Sequence, residues 1–196
     1  MFHIDYIVRN RRNRRSEEDV FPETLADAID SYCPDASLVI QIDESKIEVD
    51  VCRDMYGLHE DLLRVLECIA FDLPSEGPYR EVLEPIQPGE SLYTLIFTEF
   101  YFPRVIYFLC KGKYVDLQTR TLYKDVIIAS SEDVTTPTTS TRNDIIVDSC
   151  SFLMKYLQDL AEEIPIVKDL DDYKAYLARL EKIQMQLPVW NGNDMD

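Results

Sequence analysis

Apolar residues in this chain follow two different spacings, and the order in which these spacings succeed each other restricts the fold more than any other feature of the sequence. In residues 2–8, 38–42 and 47–51 every second residue is apolar, a pattern typical of strands with one buried face. In residues 58–73 the apolar positions recur every three or four residues, as on one side of an amphipathic helix. The sequence therefore predicts an α+β fold.

The same reading along the chain gives the complete order of elements. The predicted strands are 2–8, 38–42, 47–51, 92–100, 105–110, 114–117 and 122–129, and the predicted helices are 22–34, 58–73, 146–164 and 170–187, the last of them capped by Asp169. The first six elements follow the β-α-β-β-α-β order of ferredoxin-like folds. A β-meander and a C-terminal antiparallel pair of helices follow, so we expect a mixed, largely antiparallel sheet.

The length of 196 residues suits a single domain over 1–196. Residues 74–90 contain four prolines and two glycines, which indicates a long connection between two sub-lobes, 1–73 and 91–196. Residues 130–143 contain eight Ser or Thr without an apolar period, and we expect a mobile loop there.

Composition and the N-terminal segment predict a cytoplasmic protein. Five cysteines occur without a CxxC pair, which is typical of reduced, buried thiols. Arginines follow the first apolar stretch instead of preceding it, the reverse of a secretory signal. The apolar run 92–110 is interrupted by Glu99, Pro103 and Arg104, so it predicts strands and no membrane span.

Several catalytic motifs are missing or incomplete. The five glycines are too widely spaced for a phosphate-binding loop, and GxSxG is absent. His59 and Glu60 match the start of HExxH, but the second histidine is lacking, so we predict that His59 lies on a helix surface. Pro34-Asp35 followed by Glu44-Ser45-Lys46 has the letters of the PD-(D/E)xK nuclease signature, but Glu44 falls in a predicted turn and we treat the match as chance. We expect no catalytic residue, no metal site and no cofactor.

Negative charge is concentrated in one part of the chain. Residues 16–100 hold twenty-one Asp and Glu against four Lys and Arg, so this stretch alone accounts for the formal net charge of −17. In a chain without a complete catalytic motif, such a field favours a cationic partner over a catalysed reaction. The five arginines of residues 9–15 are interpreted as paired internally or solvated. The carboxylates predicted to form a partner-binding surface are Glu44, Glu48, Asp50, Glu60, Asp61 and Glu67.

These observations favour a non-enzymatic, acidic protein-binding module that docks a basic protein. An inhibitor such as a toxin-neutralising immunity protein fits best, because an acidic surface steers a cationic active site inward and then blocks it. Two alternatives stay open. One is a carboxylate- or metal-dependent hydrolase of an unrecognised kind, and the other is a structural subunit that forms a homodimer. We expect neither a nucleic-acid nor a membrane partner.

Overall fold

A computed structural model describes residues 2–8, 22–32, 36–42, 45–51, 55–74, 86–97, 104–123, 126–128 and 137–187. Its strands are β1 (Phe2–Val8), β2 (Ala36–Ile42), β3 (Ser45–Val51), β4 (Glu90–Phe97), β5 (Arg104–Lys111), β6 (Tyr114–Tyr123), β7 (Val126–Ile128) and β8 (Thr138–Thr141). Its helices are α1 (Leu25–Tyr32), α2 (Met55–Phe71), α3 (Arg142–Glu163) and α4 (Asp171–Gln184), with a 3₁₀ turn at Pro165–Asp169 between the last two. The predicted α+β class is confirmed.

The first sheet contains three strands in the order β1-β2-β3, and both pairings are antiparallel. Phe2 and Ile4 of β1 are buried, whereas His3 and Asp5 are exposed, as the alternation of the sequence predicts. The ferredoxin-like arrangement is not confirmed. The predicted order of elements is present, but β1 pairs with β2 and β4 belongs to the other sheet.

The second sheet is the predicted meander, β4-β5-β6-β7, with β8 added to β6. Strands β5 and β6 meet at a tight turn in which Gly112 has a φ of 57°, a conformation that a residue with a Cβ rarely adopts. Strand β8 corrects the prediction of a loop over 130–143. Within the described part of that segment, residues 138–141 pair with residues 114–117 of β6, because β-branched threonines suit a strand once a partner edge is in reach.

Helix α3 begins immediately after β8 and buries a wide apolar side that includes Ile146, Leu153 and Leu160. Thr141 is its N-cap, and its side chain accepts a hydrogen bond from the amide of Asp144, which typically stabilises a helix by about 1 kcal/mol. Helices α3 and α4 are the predicted C-terminal pair. The prediction that Asp169 caps α4 is wrong, because Asp169 ends the 3₁₀ turn and Leu170 occupies the N-cap without a side-chain bond.

One hydrophobic core includes residues from both predicted sub-lobes, from Phe2 in β1 to Ile183 in α4. Helix α2 contributes its long apolar side to it, and the inner faces of β4, β5 and β6 contribute Tyr93, Phe108 and Leu117. The division into sub-lobes stays a prediction. In the described part of the chain, no helix combines the length and the apolar character that crossing a bilayer requires.

Candidate functional site

Helix α2 carries three of the carboxylates that were predicted to bind a partner, and two of them bind the same arginine of the chain. Arg179 of α4 donates from Nε to Glu67 at 2.9 Å and from Nη1 to Glu60 at 2.8 Å. Its Nη2 reaches the second oxygen of Glu67 at 3.0 Å. Hydrogen bonds to Glu67 and then to Glu60 raise the pKa of Arg179. Glu60 and Glu67 therefore attach the C-terminal helix to α2.

Asp61, the third of these carboxylates on α2, pairs within its own helix. Asp61 accepts a bond of 3.2 Å from Arg64, one turn along the same helix, and both side chains are about half exposed. Glu48 and Asp50 belong to β3, but their side chains lie outside the described residues, as does the whole of Glu44. The three described carboxylates of α2 thus face two arginines of their own chain.

A second group of carboxylates lies where three helix ends meet. The amide of Leu25 at the start of α1 donates to Asp172 at the start of α4, at 2.6 Å. The 3₁₀ turn joins the end of α3 to the same place. We name this region the acidic corner. Among the described residues it contains Glu23, Asp27, Glu162, Glu163, Asp169, Asp171 and Asp172, together with the two lysines Lys168 and Lys174.

The helix dipoles stabilise only some of the carboxylates in the acidic corner. Asp27 lies in the first turn of α1, and Asp171 and Asp172 lie in the first turn of α4, where the positive end of the helix dipole stabilises carboxylates. Glu162 and Glu163 lie in the last turn of α3, which contains no basic residue. There the dipole repels them. The helix dipole therefore favours the position of Asp27, Asp171 and Asp172 but not that of Glu162 and Glu163.

His59 is the largest departure from the sequence prediction. It lies in the core with none of its surface exposed, and its ring meets those of Tyr156 and Phe152 edge to face, with centroids 4.3 and 5.8 Å away. Burial lowers its pKa to about 3. The expectation of a helix-surface histidine is wrong, and His59 cannot act as a base on a substrate at the surface.

Two described thiols are equally shielded. Cys110 and Cys150 are fully buried, and burial raises the pKa of each to about 12, so both are protonated at neutral pH. Among the described residues, no group of three or more His, Cys, Asp or Glu side chains is arranged to hold a metal ion.

Sequence reasoning missed Arg179 and the acidic corner. Arg179 is 112 positions from Glu67 along the chain, and nothing in the spacing of α2 or α4 indicates the contact. Glu162-Glu163 and Asp171-Asp172 are visible as pairs in the sequence, but only the fold brings Asp172 to the start of α1. No protein-family model matches the sequence, and no curated protein or solved structure matches it significantly.

Replacing Arg179 with alanine is expected to lower the free energy of unfolding by about 1 to 2 kcal/mol. The guanidinium binds two carboxylates at once but is about one-third exposed, so its loss costs more than a simple surface pair and less than a buried one. Urea denaturation followed by circular dichroism measures the change. Arg64→Ala removes an exposed pair within one helix and should cost under about 0.5 kcal/mol. Equal effects of the two substitutions would contradict the attachment role of Arg179.

Proposed function

We propose that the protein is a non-enzymatic binding module that docks a basic protein partner, and that the acidic corner is the centre of its docking surface. The observation that carries the proposal is the placement of Glu162 and Glu163. They are exposed, they oppose the dipole of their own helix, and the 3₁₀ turn joins their end of α3 to the acidic first turn of α4. A cationic partner would relieve this repulsion.

The other polar groups support a binding role more than a catalytic one. His59 is enclosed in the core, and the thiols of Cys110 and Cys150 are buried and protonated. The carboxylates of α2 that were first expected to bind the partner are occupied by Arg64 and Arg179. The acidic corner has seven carboxylates and two lysines among the described residues, and Lys174 lies 3.7 Å from Asp171, so negative charge stays in excess there.

Within this role, an inhibitor such as an immunity protein for a basic toxin is the specific function that we favour, acting in the cytoplasm. An exposed carboxylate surface raises the rate at which a basic protein associates, and the effect weakens as salt screens the charges. Association with the partner should therefore slow steeply as ionic strength rises. By covering the partner's cationic active site, the protein would then inhibit it without catalysing a reaction.

The decisive variant is the double charge reversal Glu162→Lys with Glu163→Lys. Wild-type protein immobilised at low salt should retain a basic protein from a lysate of the source cells, and high salt should release it. The double variant is expected to bind the purified partner at least tenfold more weakly, mainly through a slower association rate. Surface plasmon resonance at three salt concentrations measures both rates.

The matched control is Asp5→Lys with Glu181→Lys, which changes the net charge by the same amount. Asp5 is exposed on β1 and Glu181 is exposed near the far end of α4. This control should keep the affinity of the wild type to within about twofold. A partner that binds the acidic-corner variant as well as the wild type, or a wild type that retains no basic protein, would refute the proposal.

A further inference from the structure

The imidazole of His59 is surrounded by aromatic rings from other elements of the fold. Phe152 and Tyr156 of α3 contact it directly. Tyr6 of β1 and Tyr32 of α1 contact Tyr156 in turn, with centroids 5.3 and 5.6 Å from its ring. A single histidine thus lies at the junction of α2 with α3, next to rings that come from the first sheet and from α1.

This environment disfavours a charged imidazole. Both ring nitrogens are buried, and neither has a hydrogen-bond partner in the described structure. Among the described residues, the groups that face His59 are the rings of Phe152 and Tyr156 from α3, and from α4 the hydroxyl of Tyr176, which donates to the backbone carbonyl of His59 at 2.8 Å. Within α2, the carboxylate of Glu60 binds Arg179. A proton on the ring would therefore create a buried cation that no charged group of the described residues compensates.

We propose that His59 is an acid-sensitive latch, in which helix α2 holds its place against α3 only while the imidazole is neutral. Protonation requires the ring to leave the aromatic cluster and reach water, and the contact between α2 and α3 is then released. The latch is a property of the fold and does not depend on the proposed binding function.

The direction of the pH dependence follows from the two protonation states. An unfolded histidine binds its proton near pH 6.5, whereas burial in the folded protein lowers the pKa of His59 to about 3. The contribution of neutral His59 to the free energy of unfolding is complete above pH 6.5 and is lost as pH falls toward 3. Each unit below 6.5 should reduce the folding equilibrium constant about tenfold, which amounts to about thirtyfold at pH 5.0.

The chain provides its own control, because it contains only two histidines and His3 is exposed on β1. In proton NMR spectra of the folded protein between pH 7.5 and 5.0, the imidazole signal of His59 should stay at its neutral position. His59→Gln should remove the thirtyfold loss of folding constant, measured by urea denaturation, whereas His3→Gln should keep it. If His59→Gln does not fold, His59→Leu serves the same purpose.

Hydrogen exchange distinguishes a local release of α2 from a general loss of stability. After correction for intrinsic rates, acid should accelerate exchange in residues 55–71 of α2 more than in residues 104–111 of β5, and His59→Gln or His59→Leu should abolish the difference. A His59 signal that titrates near pH 6.5 in the folded protein would overturn the latch. Equal acceleration in both segments would overturn it as well.

Discussion

Replacing Tyr156 with alanine is expected to lower the free energy of unfolding by about 4 kcal/mol, the largest effect of any substitution considered for this protein. Tyr156 is among the largest side chains that are fully buried. Its ring contacts those of His59, Tyr6 and Tyr32. The substitution leaves a cavity between α3 and the elements around it, and removing a large buried aromatic ring typically costs 3 to 5 kcal/mol, with about 0.5 to 1.5 kcal/mol for each ring pair lost.

Urea denaturation at pH 7.5 measures this change, with circular dichroism as the probe. Tyr114→Ala is the matched control, because Tyr114 is about half exposed at the start of β6 and its loss should cost under about 1 kcal/mol. Tyr156→Phe keeps the ring and should retain most of the stability. Similar losses for Tyr156→Ala and Tyr114→Ala would contradict the central position of the Tyr156 ring.

Local periodicity was sufficient to predict the elements of this fold. The alternation of Phe2 and Ile4 with His3 and Asp5 indicates which side of β1 is buried, and the structure confirms it. Strand pairing was harder to predict. The order β-α-β-β-α-β is compatible with several strand arrangements. The spacing of apolar residues indicates which face of a strand is buried, but it does not indicate which strands pair with each other. The separation into two sheets depends on such long-range pairing.

Strand β8 shows how tertiary pairing overrides composition. Residues 138–141 are all Ser or Thr and resemble a loop in the sequence. Their backbone completes the edge of β6, and the hydroxyl of Thr139 donates to Asp116 across that edge at 2.6 Å. Thr141 then caps α3. The N-cap is a local signal that the sequence contains, whereas the strand depends on a partner more than twenty positions away.

The candidate site was predictable only in part, for a related reason. The stripe of buried residues on α2 includes Met55, Leu62 and Leu63, which lie four before, three after and four after His59. That spacing placed the histidine on the apolar face and could have predicted its burial. The neighbours of Glu60 and Glu67 could not be found in this way, because Arg179 belongs to a helix that the chain reaches more than one hundred residues later. Charge density along a sequence does not show which charges the fold neutralises.

Arg142 is the second residue whose loss is expected to have a large effect, because it is a nearly fully buried cation at the start of α3. Its Nη1 donates to the carbonyl of Ile69 at 3.2 Å and to Asp72 at 3.1 Å. Asp72 has a φ of 50°, in the left-handed region that often ends a helix. Arg142 therefore closes the C-terminal end of α2 and joins it to α3.

Arg142→Ala should lower the free energy of unfolding by about 3 kcal/mol. The Ile69 carbonyl loses a partner inside the protein, at a cost of about 1 to 3 kcal/mol, and the side chain leaves a cavity. Asp72 is about two-thirds exposed, so water solvates the carboxylate that remains.

Urea denaturation measures the effect of Arg142→Ala. Lys155→Ala removes an exposed cation of the same helix and should change stability by less than about 0.5 kcal/mol. Arg142→Met restores the packing of the stem but not the hydrogen bonds, so it should recover only part of the loss. Full recovery would show that packing alone accounts for the contribution of Arg142. It would contradict the proposed role of its hydrogen bonds in closing the end of α2.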